Sequence, residues 1–140
     1  MKKLLALSLS AFLVGLLCQA ALADSGKERA AQAAALAWLA LVDQGMYAES
    51  WTEAATIFKG AVTPESWLQS LKNFRQPLGK STSRKLVSAK HTRSLPGAPD
   101  GEYVVIQYRT SFEKKQSAVE TVTPMLDSDG KWRVAGYYIR

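Results

Sequence analysis

Between residues 27 and 42 apolar side chains return every three or four positions, at Ala31, Ala34, Ala35, Trp38, Leu41 and Val42. That spacing predicts an alanine-rich amphipathic helix. Gly45 stands where the left-handed residue that closes a helix belongs. Tyr47, Trp51, Ala54 and Phe58 repeat the spacing and predict a second, shorter helix. The third has the clearest start: Thr63 caps it, Pro64 takes its first position, Glu65 complements its dipole, and Val62 and Trp67 form a hydrophobic staple. Trp67, Leu71 and Phe74 carry its stripe until Pro77 and Gly79 break it.

The pattern then changes to a period of two. Residues 80–92 predict a polar, edge-like strand carrying Leu86 and Val87; 102–113 predict the strongest strand; 117–126 and 131–139 predict two more. Leu95-Pro96-Gly97 and Asp100-Gly101 mark a longer connection, Lys114-Lys115 a tight turn and Asp127–Gly130 a glycine-ended hairpin. The prediction is an α+β domain, with three N-terminal helices packed on one face of a curved four-stranded antiparallel sheet.

Ahead of these elements lies a different kind of segment. Lys2 and Lys3 precede an apolar run from Leu4 to Leu17, and Ala21-Leu22-Ala23 supplies a small-x-small motif. This predicts a cleavable export signal over residues 1–23, cut between Ala23 and Asp24, and a single domain over 24–140 in the periplasm or outside the cell. The apolar run is shorter than the roughly 18–20 residues that cross a bilayer, so no stable membrane anchor is expected after cleavage. Lipoprotein processing at Cys18 is disfavoured by the bulky Leu16 and Leu17 before it.

Cys18 is the only cysteine, so a chain beginning at Asp24 has no disulfide and no thiol nucleophile. His91 is the only histidine, and a zinc or copper site would have to be built mostly from carboxylates; no metal or other cofactor is expected. Asp127-x-Asp129-Gly130 resembles part of a calcium loop but lacks the later glutamate, and reads better as a hairpin. A serine triad would have to use His91, which stands beside Lys90 and Arg93, where cations hinder proton acceptance. The net charge is +6, and seven basic residues and no acid fall between Lys72 and Arg93. Lys80, Arg84, Lys85 and Lys90 are therefore candidates for an anion or partner patch. Nucleic acid is not expected, because few aromatics are interleaved to stack on bases.

The order of elements resembles the nuclear transport factor 2-like (cystatin-like) fold, in which a curved sheet wraps a helix and leaves a cone-shaped pocket. A closer resemblance is to exported bacterial proteins of the domain of unknown function 4019 family. It is carried by Trp38–Gly45 with Tyr47, Ser50 and Trp51; by Phe58-Lys59, Val62-Thr63, Trp67 and Pro77-Leu78-Gly79; and by Leu95-Pro96-Gly97, Gly101–Val105, Glu120-Thr121-Val122 and Asp129–Ile139. The resemblance implies an exported single domain and brings no reaction, cofactor or catalytic residue with it.

Within such a cone, Trp51, Tyr108, Glu120 and Tyr138 are the candidate ligand-binding residues. Trp38, Trp67 and Trp132 are expected in the core, and strand alternation sends Tyr137 and Tyr138 to opposite faces. The favoured expectation is a non-catalytic binding or assembly module, holding a small ligand or a protein partner, or a homodimer joined through the sheet face. The alternative is a cofactor-free proton-transfer enzyme of isomerase type, with Glu120 as base beside a tyrosine donor. Against it stands the simpler role of Glu120 as the cross-sheet partner of Arg84, Arg109 or Arg133.

Overall fold

The computed structural model describes residues 7–140, with side chains from residue 24 onward. The whole of the expected signal, residues 1–23, lies outside the residues whose side chains are described. The elements run α1 (Leu7–Asp43), α2 (Tyr47–Thr52), α3 (Thr56–Ala61), α4 (Pro64–Phe74), a 3-10 turn (Gln76–Leu78), β1 (Ser81–Thr92), β2 (Tyr103–Phe112), β3 (Lys115–Leu126) and β4 (Trp132–Ile139). The strands form one open, curved antiparallel sheet in the order β1-β2-β3-β4, a simple meander with β1 and β4 at its edges. The helices pack on one face.

Local chemistry explains most boundaries. Helix α1 closes in a Schellman motif: the Gly45 N–H donates to the Val42 carbonyl (3.0 Å) and the Met46 N–H to that of Leu41 (2.9 Å), with Gly45 at φ +76°. Helix α4 starts as expected, the Thr63 hydroxyl oxygen accepting from the Ser66 N–H at 3.2 Å.

The expected three helices are four among the described residues, because the second divides at Ala54-Ala55. Both alanines are fully buried, and Ala55 is extended, its N–H donating to the Val134 carbonyl of β4 at 2.8 Å. A carboxylate 71 residues away then caps α3: Asp127 Oδ2 accepts from the N–H and hydroxyl of Thr56 at 3.3 and 3.4 Å. Propensity alone favours continuing the helix, so the break is tertiary.

The core lies between α1, α4 and the inner face of the sheet, and aromatic rings fill it. Trp38 meets Tyr137 edge-on at 5.2 Å, Phe58 meets Trp67 at 4.9 Å, and Phe74 lies 6.2 Å from Trp67 and 6.1 Å from Tyr137. Trp38 and Trp67 are buried as expected, and Trp132 is half-buried against the cluster. Buried indole N–H groups need acceptors, and one residue serves two of them. The Ser50 carbonyl accepts from Trp38 Nε1 (2.8 Å), its hydroxyl oxygen accepts from Trp67 Nε1 (3.0 Å), and that hydroxyl donates to the Tyr47 carbonyl (2.7 Å). Ser50→Ala strands one buried indole donor, so stability is expected to fall by about 1–3 kcal/mol. Urea unfolding followed by tryptophan fluorescence measures this, and an unchanged midpoint would show that the serine hydroxyl is dispensable.

Candidate functional site

The polar centre of the domain is built around Glu120, which alternation on β3 turns toward the helices. It is completely buried. Its cross-strand neighbour on β2 is Tyr108, and Val122, two residues along β3, pairs with Tyr137 of β4. Three donors converge on the carboxylate: Arg84 Nε at 2.7 Å, the Thr110 hydroxyl at 2.5 Å, and the Tyr137 hydroxyl. Arg84 reaches it from β1, across the whole width of β2. The rest of the same guanidinium donates to Asp43 at 2.8 and 3.1 Å, and Asp43 also accepts from Arg75 at 3.1 Å. Arg75 in turn donates to the Gly79 carbonyl at 2.6 Å and lies 4.5 Å over the Phe112 ring.

The ionisation of these groups follows from their neighbours. Burial pushes the Asp43 carboxyl up, but Arg84 and then Arg75 outweigh it and hold the group below the usual range. Burial also works against the Arg84 charge, and Asp43 and Glu120 more than restore it. The Tyr137 phenol is driven far up, first by burial and then by the Glu120 charge, so it stays a donor. Tyr108 is raised by burial, with Arg84 opposing and Glu120 adding; its buried hydroxyl is without a hydrogen-bond partner among the described residues.

The four residues expected to bind a ligand do not form one site. Tyr108 and Glu120 are neighbours, as the strand register requires. Trp51 is half-buried elsewhere, its indole N–H donating to the Val62 carbonyl at 2.7 Å. Tyr138 lies on the opposite, outer face, 49% exposed, with the Arg140 guanidinium 5.9 Å from its ring. The basic patch is also divided. Lys80, Lys85 and Lys90 are exposed, but Arg84 is turned inward and held by Asp43 and Glu120, so it is not available to an outside anion. The reason is alternation: Arg84 and Lys85 are consecutive on a strand and leave from opposite faces.

Two other expectations have definite places. Asp127 and Asp129 sit in the hairpin and both pair with Arg133, at 3.0 and 2.8 Å. His91 meets Glu102, which also takes Lys27 at 3.2 Å; the His91 hydrogen bond, followed by Lys27 against a little burial, holds the Glu102 carboxyl low. Asp24 is exposed, 3.5 Å from the other ring nitrogen of His91. Among the described residues no group of three His, Cys, Asp or Glu side chains is placed to hold a metal ion, and no helix is long and apolar enough to cross a membrane.

A family model described as "Protein of unknown function (DUF4019)" matches residues 34–137. The chain belongs to this family. A comparison with curated proteins finds no match. The span matched by the DUF4019 model contains the whole Glu120 cluster, from Asp43 to Tyr137, and both sides of the aromatic core.

Sequence reasoning missed Asp43, Thr110 and Ser50. Asp43 had a readable signal: an acid in the last turn of a helix opposes the helix dipole, so it calls for a nearby cation. Arg84→Met would leave Glu120 buried without its charge partner, at an expected cost of about 3–5 kcal/mol. Adding Glu120→Leu removes the unpaired charge and should recover part of that loss, since the Thr110 and Tyr137 hydroxyls then lose their acceptor. Urea denaturation of the single and double variants reads both, and a single-variant loss under about 0.5 kcal/mol would mean that Arg84 behaves as a surface residue. Asp43 also predicts an acid sensitivity. Its folded pKa is the lower one, so as pH falls through about 3.9 the unfolded chain takes up the proton first and stability declines. Asp43→Asn should be less stable at neutral pH and should flatten that decline in midpoints recorded from pH 6 to pH 3.

Proposed function

We propose that the protein is an exported, non-catalytic binding module of nuclear transport factor 2-like form that takes a small apolar ligand at the edge of its sheet. The observation carrying this reading is an open groove of about 560 Å³ beside β4, between α3 and the connection from β1 to β2. Ile57, Phe58, Val62, Leu95, Pro96 and Tyr138 line it. Its size falls within the range of small-molecule sites, and its walls are mostly apolar, as such sites usually are. The interior of the cone is the less suitable place, because Trp38, Trp67, Phe74 and Tyr137 occupy it. The export component rests on the basic, apolar and small-residue pattern of residues 1–23.

The rival proton-transfer reading needs Glu120 within reach of a substrate. Its carboxylate accepts from three side chains and is shielded from solvent, which supports a structural role. A homodimer through the outer sheet face would bring uncompensated cations against their own copies, which favours a monomer or a partner of opposite charge.

The neutral fluorophore N-phenyl-1-naphthylamine tests the groove. Fluorescence titration should show uptake by the wild type, and Ala61→Glu, which places a carboxylate at the exposed lip of the groove, should weaken it at least tenfold. Uptake that is unchanged in Ala61→Glu would remove the groove from the proposal.

A further inference from the structure

The outer face of the sheet carries a charge pattern that the fold leaves uncompensated. The four strands contain a single acidic residue, Glu120, and it faces inward. The outward positions hold Lys85, Lys90, Arg109 and Arg140, all exposed. Lys85 and Arg109 are direct cross-strand partners, an arrangement that repels. The next strand contributes Val119 beside Arg109, and Val119 exchanges both backbone hydrogen bonds with Arg140. Three cations and one valine therefore form one row across the whole sheet. Among the described residues none of the four cations has a carboxylate within ion-pair distance, whereas Arg75, Arg84 and Arg133 all do.

We infer that this face docks on an anionic phospholipid bilayer. In the neighbouring row, Ser88, Gln107, Thr121 and Tyr138, Thr121 is buried, Ser88 and Gln107 are half-buried, and Tyr138 is exposed beside Arg140. Tyrosine with its apolar ring and polar tip is a residue of the membrane–water boundary. A protein interface is built on an apolar centre with a rim of mixed charge. The row from Lys85 to Arg140 has instead one sign of charge around a single apolar residue, Val119, and a surface of repeated phosphates is read by charge of that kind. A second copy of the chain would present the same cations and be repelled. The apolar groove shares Tyr138 with this face, but it bears on a different ligand and is tested by a different variant.

Co-sedimentation of the full chain with phosphatidylcholine vesicles, with and without phosphatidylglycerol, tests it. Residues 1–23 are present in every sample, so their affinity for lipid cancels between variants. Each cation held at an anionic surface strengthens binding roughly fivefold. Replacing Lys85, Lys90, Arg109 and Arg140 together by serine should therefore reduce the preference for phosphatidylglycerol by at least about a hundredfold. Replacing Arg29, Lys59, Lys72 and Lys131, which lie off this face, by serine should change it far less for the same loss of charge. Raising salt from about 0.1 M to 1 M, which shortens the screening length from about 10 Å to 3 Å, should abolish the wild-type preference. Equal losses in the two quadruple variants would overturn the inference. So would binding to polyglutamate without binding to vesicles, which would assign the face to an acidic chain. Folding is checked separately: Arg109→Ser relieves the repulsion with Lys85 and should raise the thermal midpoint, and a lowered midpoint would contradict the like-charge reading of the row.

Discussion

The pair between Glu120 and Arg84 is the contact on which the interior of this domain depends. A carboxylate with no exposure to water cannot remain charged unless the surrounding structure replaces its hydration. Here the replacement comes from three elements at once, with Arg84 from β1, Thr110 from β2 and Tyr137 from β4. Asp43 extends the arrangement to the end of α1, and Arg75 extends it to the segment that follows α4. The end of the long helix is thereby held against the sheet by directional bonds as well as by apolar contact. Because each member satisfies another, removing one exposes the rest to the desolvation penalty that the pairing offsets.

The aromatic core follows a related rule. Trp38 and Trp67 supply much of the buried apolar area, but each brings an indole N–H that must find an acceptor. Both find it in Ser50, so a two-turn helix carries an importance out of proportion to its length. Together with Tyr137 and Phe74, these rings occupy the space that an open cone would offer to a ligand. The apolar groove beside β4 and the basic outer face are the surfaces left over, and they differ in chemistry although they meet at Tyr138.

The two sides of the sheet divide the charge between them. On the inner side every charge of the Glu120 cluster has a partner of opposite sign, while among the described residues Lys85, Lys90, Arg109 and Arg140 on the outer side have none. Consecutive residues such as Arg84 and Lys85 therefore have unlike roles, one holding the interior together and the other facing solvent. Counting basic residues along the chain groups them together, although the pleat separates them.

The sequence by itself determined the α+β order of the elements, the four-strand meander, the Schellman end at Gly45, the Thr63–Pro64 start of α4 and the burial of Trp38 and Trp67. Each of these is set by neighbours within a few residues or by a simple period, so the information is local. It also narrowed the partner of Glu120 to three arginines. Only the tertiary structure chose Arg84 among them, divided the second helix at Ala55 and joined Asp127 to Thr56 across 71 positions. Those outcomes depend on which groups meet when distant elements pack and on which polar atoms must then be satisfied away from water. No periodicity along the chain records such encounters, so they become legible only in the folded molecule.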